Sequence, residues 1–271
     1  MGGVFAYGII GDFDVLVVQP MNRILSIFFF ILLILPFPAS AAIAFDYSSF
    51  AGATQTAWIT STSGYSWNTT ITGTNTFLVV NVVTYNASLI TVSSVTCNST
   101  SLTKITSNTA NLEGNFQDDE IWYLTGVAAG TCTIQVNLSG TSSYSKGIAA
   151  SYTGVDQTTP IDTHATNQSL TAVTSLTLST TVNGSNEWIV GAAFSRGGVI
   201  SAGTGTTLRA SGTGQYISLG DSNGVVSTGS QSLVFTSTSG TWPGGGIIAV
   251  RPAVAVVKPP KVPDIIFWSW F

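Results

Sequence analysis

Downstream of residue 41 the chain reads as short apolar or β-branched runs separated by clusters of Gly, Asn, Ser and Thr. The clearest runs are Thr76–Val83, Glu120–Leu124, Thr133–Leu138, Ile148–Tyr152, Ser175–Ser179, Glu187–Val190, Gln215–Leu219, Ser232–Phe235 and Gly246–Val250. Several alternate strictly, as in Leu176/Leu178 and Leu233/Phe235, which puts their apolar side chains on one face of a strand. Phe77–Val83 is apolar on both faces and reads as a central strand. No stretch after residue 41 combines helical periodicity with a capping pattern. The prediction is an all-β sandwich of two antiparallel sheets.

A weak internal repeat runs through the pattern. Ile71-Thr72-Gly73-Thr74-Asn75-Thr76-Phe77-Leu78-Val79-Val80 aligns with Val182-Asn183-Gly184-Ser185-Asn186-Glu187-Trp188-Ile189-Val190-Gly191, and Gly147–Ala150 resembles Gly246–Ala249. Two architectures satisfy this repeat. One is a single jelly-roll sandwich over residues 45–252. The other is a pair of immunoglobulin-sized sandwiches, 45–155 and 163–252, joined near Gly154–Pro160. The single domain is favoured, because the joint Val155–Asp162 is short and still carries apolar residues, unlike a free linker.

The N-terminal region has a different character. Met21-Asn22-Arg23 opens an apolar stretch, Ile24–Leu35, which breaks at Pro36 and Pro38 and closes on Ala39-Ser40-Ala41. A charged start, a short apolar middle and a small-x-small end describe a secretory signal peptide over 21–41. The apolar core falls short of the roughly 20 residues a spanning helix needs. Residues 1–20 read as a mis-called upstream start. In the alternative, Met1 is the true start and Ile24–Leu35 an internal anchor. The expected location is secreted or cell-surface. At the other end, residues 253–271 form a tail with a Pro-rich segment, Lys258–Pro263, and an aromatic finish, Phe267-Trp268-Ser269-Trp270-Phe271. That tail reads as a partner-docking tag, an interfacial membrane anchor or the stump of a truncated frame, with docking and truncation favoured equally.

Composition narrows the partners. Charged residues are 7% of the chain, against about 25% in an ordinary soluble domain, and the net charge is −4. No basic patch is present, so nucleic acid is excluded as a partner on electrostatic grounds. The polar surface must consist of hydroxyls and amides, which suits contact with other surfaces. Cys97 and Cys132 are the two cysteines. In an oxidising compartment they are expected to pair. Cys132 shares a face with Ile134, Val136 and Leu138, and Cys97 shares one with Val95, so both sulfurs are expected in the core. The alternative is two buried free thiols.

The string Ala150-Ser151-Tyr152-Thr153-Gly154-Val155-Asp156-Gln157-Thr158-Thr159-Pro160-Ile161-Asp162 resembles a turn of secreted bacterial and phage-associated β-sandwich modules, of the form Y-x-G-V-D-x-x-x-P. In those modules the second half ends near A-V-R-P, as Ala249-Val250-Arg251-Pro252 does here. The resemblance covers about residues 45–252. It implies a jelly-roll, concanavalin-like sandwich and no catalytic site. The residues also have a local reading: Gly154 permits a tight turn, Asp156 can bond its own turn backbone, and Pro160 stops strand continuation.

Candidate chemistry is sparse. Asp118-Asp119-Glu120 precedes an apolar strand, but the alternating carboxylates of a sandwich glycosidase are missing, because Trp122 and Leu124 follow at those positions. The three acids read as a solvated loop. Asp118, Asp119 and Asp221 are candidate oxygen ligands for a structural calcium, with Asp221-Ser222-Asn223-Gly224 an oxygen-rich turn. Ordinary turn residues are the alternative. No other cofactor is implied. His164 is read as lying in a Thr/Asn-rich loop, with no nucleophile elbow near it. Tyr65, Trp67 and Trp242 occupy turn-like polar settings and are the candidate ligand-binding aromatics, with capping of a sandwich end as the competing role.

The expected function is therefore a non-catalytic exported binding or structural module that makes adhesive or glycan contacts. Glycans or envelope proteins are its expected partners, and a homo-oligomer fits. Two other classes compete: a carbohydrate-active enzyme, and a self-assembling or phage-derived structural protein.

Overall fold

The computed structural model describes residues 41–52, 58–112, 114–209, 216–241 and 243–254. The expected leader, apart from Ala41, lies outside the described residues, as do Trp242 and the tail beyond Val254. Every regular element described is a β-strand, and every ladder is antiparallel.

The first half contains β1 (Ala44–Phe50), β2 (Ile59–Ile71), β3 (Phe77–Asn86), β4 (Val92–Cys97), β5 (Thr100–Ser101), β6 (Thr103–Leu112), β7 (Asn115–Thr125) and β8 (Gly130–Thr153). The second contains β9 (Ile161–Gln168), β10 (Val173–Val182), β11 (Trp188–Phe194), β12 (Ile200–Ala202), β13 (Thr207–Leu208), β14 (Ile217–Asp221), β15 (Gly229–Thr241) and β16 (Gly244–Val250).

The two halves share one connectivity. In the first, the N-terminal part of β8 pairs with β2 and β4, while its C-terminal part pairs with β1 and β3, and β3 continues to β7 and β6. In the second, β15 pairs with β10 and β12; β16 pairs with β9 and β11, and β11 continues to β14 and β13. One 24-residue strand in the first half thus does the work of two in the second. The sequence pattern reads Thr133–Leu138 and Ile148–Tyr152 as separate strands, with the polar Ser139–Ser143 between them. The structure carries the chain through that polar segment as the bend where β8 changes layers. The repeated turns also match: Asn75 and Asn186, at equivalent positions, both take a left-handed conformation (φ 50° and 60°).

The cores explain the patterning. Leu78, Val80 and Val82 of β3 enter a core with Trp67, Trp122, Ile134 and Val136, inside the first half. Leu178, Ile189, Leu233, Phe235 and Ile247 fill the corresponding core of the second. Alternate residues of the inner strands meet in a third core shared by both halves, which joins Phe77, Val79, Val83, Ile148 and Tyr152 to Trp188, Val190, Phe194, Leu219 and Ile248. Inner strands such as β3 and β11 are therefore covered on both faces, which is why they read as unbroken apolar runs. Among the described residues the strands form three antiparallel sheets, of eight, three and five strands, rather than the two expected, and both halves belong to one compact unit. Close approach needs glycine at the seam: a Cβ on Gly246 of β16 would lie 2.7 Å from the Ile121 side chain.

The joint between halves follows its sequence logic. Gly154 has φ +71°, and a Cβ there would lie 2.1 Å from the Ala42 carbonyl oxygen. Asp156 Oδ1 accepts the amides of Thr158 (2.7 Å) and Thr159 (3.0 Å). Those bonds hold its carboxyl below the usual carboxylate range. Val155 is buried and bridges to Pro252, so the two motif strings meet. Cys97 and Cys132 are bonded to each other, with both side chains in the first half's core.

Candidate functional site

Where the end of the first half's inner sheet meets β11, the seam opens into a cleft of about 200 Å³ lined by Trp58, Val83, Tyr85, Gln117, Tyr144, Phe194, Ser195 and Arg196. Ladder register places most of the wall. Gln117 of β7, Tyr85 of β3 and Tyr144 of β8 form one row across the sheet, and Lys146 pairs with Val83 two rows inward, on the same face. Phe194 ends β11, and Ser195 and Arg196 follow it from the other half.

The wall is aromatic. Trp58 stacks on Tyr216 (5.9 Å, 12°) and meets Tyr144 edge-on at 6.1 Å, while Tyr85 lies 6.2 Å from Tyr144. Tyr144 is 44% exposed, so part of its ring is open to a ligand-sized group. The guanidinium of Arg196 lies 5.3 Å over the Tyr85 ring.

Two polar groups here are unmatched. Gln117 is buried and its Oε1 has no hydrogen-bond partner. Lys146 is fully buried, and its Nζ has no hydrogen-bond partner and lies 6.0 Å from the Trp58 ring centroid. Burial pushes the Lys146 ammonium down to about 8. An ammonium out of water with no hydrogen-bond acceptor is costly; Lys146 pairs with the cleft-lining Val83 but does not itself line the cleft.

The residues singled out from the sequence lie elsewhere. Tyr65 and Trp67 are in β2 rather than in a turn. Trp67 is buried, stacks on Tyr65 at 5.9 Å and donates through Nε1 to Ser49 Oγ (3.0 Å). Tyr65 Oη accepts from Ser145 Oγ (3.0 Å), and burial drives its hydroxyl pKa upward. Both pack inward against β8, so neither offers an open stacking face.

The acids are also displaced from expectation. Asp118, Asp119 and Glu120 lie inside β7 and are buried, which corrects the solvated-loop reading. Consecutive strand residues point to opposite faces, so Asp118 and Asp119 diverge. Asp118 accepts from Thr109 Oγ1 (2.9 Å); burial first, and then the adjacent Glu120, push its carboxyl up to about 7. Glu120 takes the Val92 amide (3.1 Å), Trp122 Nε1 (3.0 Å) and Lys104 Nζ (3.3 Å). Asp119 accepts from Asn81 Nδ2, and burial drives its carboxyl well above the usual carboxylate range. Asp221 ends β14 and opens the turn that follows, its Oδ1 accepting the Asn223 amide (2.8 Å), and Arg209 holds both its oxygens (2.6 and 2.7 Å). Among the described residues no group of three or more His, Cys, Asp or Glu converges for a metal. His164 is exposed on β9, a strand rather than a loop.

Sequence reasoning missed the cleft because its residues come from five separated segments. One signal was available. Lys146 shares strand parity with Ile148, Ala150 and Tyr152, so alternation alone places a lysine on a core-facing row. Comparison with protein-family models, with curated proteins and with solved structures finds no match for this chain.

Proposed function

We propose that this chain is an exported, non-catalytic binding module and that a glycan seats in the aromatic cleft at the seam. The observation that carries the reading is the cleft's composition: packed aromatics, one of them substantially exposed, beside the polar side chains of Gln117, Ser195 and Arg196. Flat rings of this kind receive the apolar faces of sugars, and convergent polar groups orient them. The buried acids fit a structural role better than acid–base work, because Glu120 and Asp221 are occupied by protein partners. Export follows from the leader expected at 21–41, and the cystine is compatible with it. The jelly-roll, concanavalin-like assignment belongs to the same proposal. It draws support from the return of the last strand of each half beside the first, β8 beside β1 and β16 beside β9.

A glycan array probed with the purified chain tests this. The expected result is binding that disappears in Tyr144→Ala. An array without hits, or hits indifferent to Tyr144→Ala, overturns the cleft as the contact site. Measurable turnover of a polysaccharide overturns the non-catalytic assignment.

A further inference from the structure

We infer that Asn68 is a modification site, the acceptor of an N-linked oligosaccharide attached during export. The inference rests on the export proposed for the chain and adds a covalent group to it.

Sequence spacing supplies the candidates. Asparagine followed two positions later by Ser or Thr, with no Pro between, is the acceptor triplet of exported chains. It occurs at Asn68, Asn86, Asn98, Asn137, Asn167 and Asn183, and all six lie outside the core. The buried Asn81 and Asn108 are not in such a triplet. The structure then separates the six. Asn86 and Asn98 donate Nδ2 to the carbonyls of Ser88 (3.2 Å) and Thr131 (2.9 Å), Asn137 to Ser94 Oγ (2.9 Å), and Asn167 to the Thr177 carbonyl (2.9 Å). The Asn183 side chain bonds the Asp162 carboxylate. Among the described residues, Asn68 alone of the six keeps Nδ2 without a protein acceptor. Its side chain makes one hydrogen bond, accepted at Oδ1 from Thr133 Oγ1 (2.9 Å).

Strand geometry presents this triplet to solvent. Asn68 and Thr70 share a parity of β2 and are both exposed, whereas Thr69 between them points inward and is buried. The outward neighbours Ser66, Thr133 and Gln135 are uncharged, so a neutral, hydrated sugar displaces no ion pair there. Among the described residues β2 pairs with β8 along one side and with no strand along the other. An oligosaccharide on that strand would block its pairing with a second chain, a protection that a chain with 7% charged residues draws little of from Lys or Glu. In the transfer, Asn68 Nδ2 forms a bond to C1 of an oligosaccharide carried on a polyprenyl diphosphate. The C1–O bond breaks, the lipid diphosphate leaves with its electron pair, and the amide nitrogen gives up one proton. The product amide retains Oδ1, and with it the Thr133 bond.

The test is mass spectrometry of the chain purified from its source, read as intact mass and on the chymotryptic peptide that ends at Phe77. That peptide should exceed its polypeptide mass by one oligosaccharide, fragmenting to place the sugar on Asn68. Asn68→Gln, which keeps an exposed amide, and Thr70→Ala should both lose the added mass in the same cells. Thr70→Ser, which keeps the hydroxyl, should retain it. A chain whose leader has been removed but whose Asn68 is unmodified overturns the inference and leaves export standing. Sugar found only at other asparagines overturns it in the same way. An unmodified chain with its leader intact removes the export reading as well.

Discussion

Tyr152 Oη donates to Asp221 Oδ2 at 2.9 Å, across the seam between the two halves. Arg209 holds the same carboxylate with two bonds, the Asn223 amide adds another at 2.8 Å, and the Arg209 guanidinium lies 4.5 Å over Phe45 of the first half. Tyr152 belongs to the joint motif, so the residue that leads into the turn also fastens the halves. Tyr152→Phe should cost about 1–2 kcal/mol, because the carboxylate keeps its arginine. Asp221→Ala should cost more, about 3–5 kcal/mol, because it strands a largely buried guanidinium. Urea unfolding of the two variants checks the order, and equal losses would contradict it.

Stability should rise as pH falls from 7 towards 5. Burial and then Glu120 raise Asp118 to about 7; burial and then Asp162 raise Glu187 to about 7; burial raises Asp119 as well. A carboxyl whose folded pKa lies above its unfolded value binds more protons when folded, so its destabilising effect grows as pH climbs through that window. Thermal melts across this range should show the trend, and Asp118→Asn should flatten it. A melting temperature that falls steadily from pH 7 to 5 would contradict the burial of these acids.

Lys146 has the complementary signature. Its folded pKa of about 8 lies below its ordinary value of 10.5, so the unfolded chain holds the proton longer and stability rises with pH between those values. Lys146→Met should be more stable than the parent at pH 7 and should lose the alkaline rise. Denaturant titrations at pH 7 and 10 separate the two outcomes.

The cystine joins β4 to β8, 35 residues apart. In the chain-entropy account a loop of that length stabilises by about 3–4 kcal/mol. The Cys97→Ser/Cys132→Ser variant should lose roughly that amount in urea while keeping its strand signal in circular dichroism.

Gly246 places the second half's inner sheet against Ile121 and Thr106 of the first. Gly246→Leu should overpack the seam and cost about 1–3 kcal/mol. A neutral effect in urea would show that the halves are less tightly apposed than described.

Much of the fold was legible in the chain. The runs around Phe77, Leu176 and Leu233 carry their strand identity in their period, and the inner position of Phe77–Val83 follows from apolar residues at both parities. The Asn75 and Asn186 turns marked the repeat. Other features were hidden for a physical reason. Asp118–Glu120 looks like a loop because three acids in a row suggest solvent, and only strand pairing on both sides of β7 and the covering second half bury them. Tyr65 and Trp67 look exposed because their neighbours are Ser and Asn, yet alternation turns the rings inward. Apart from the core-facing parity of the neighbouring Lys146, the cleft had no local signature, since Trp58, Tyr85, Gln117, Tyr144 and Arg196 meet only once both halves are built.

The measurement that bears most directly on the cleft is a nuclear magnetic resonance titration of the isotope-labelled chain with its best array glycan, read at each backbone amide. Shifts should concentrate at Trp58, Tyr85, Gln117, Tyr144 and Arg196. Shifts concentrated instead on the outer sheet faces, for example along Thr131–Asn137 or Ser175–Thr181, would place the contact elsewhere and contradict the account.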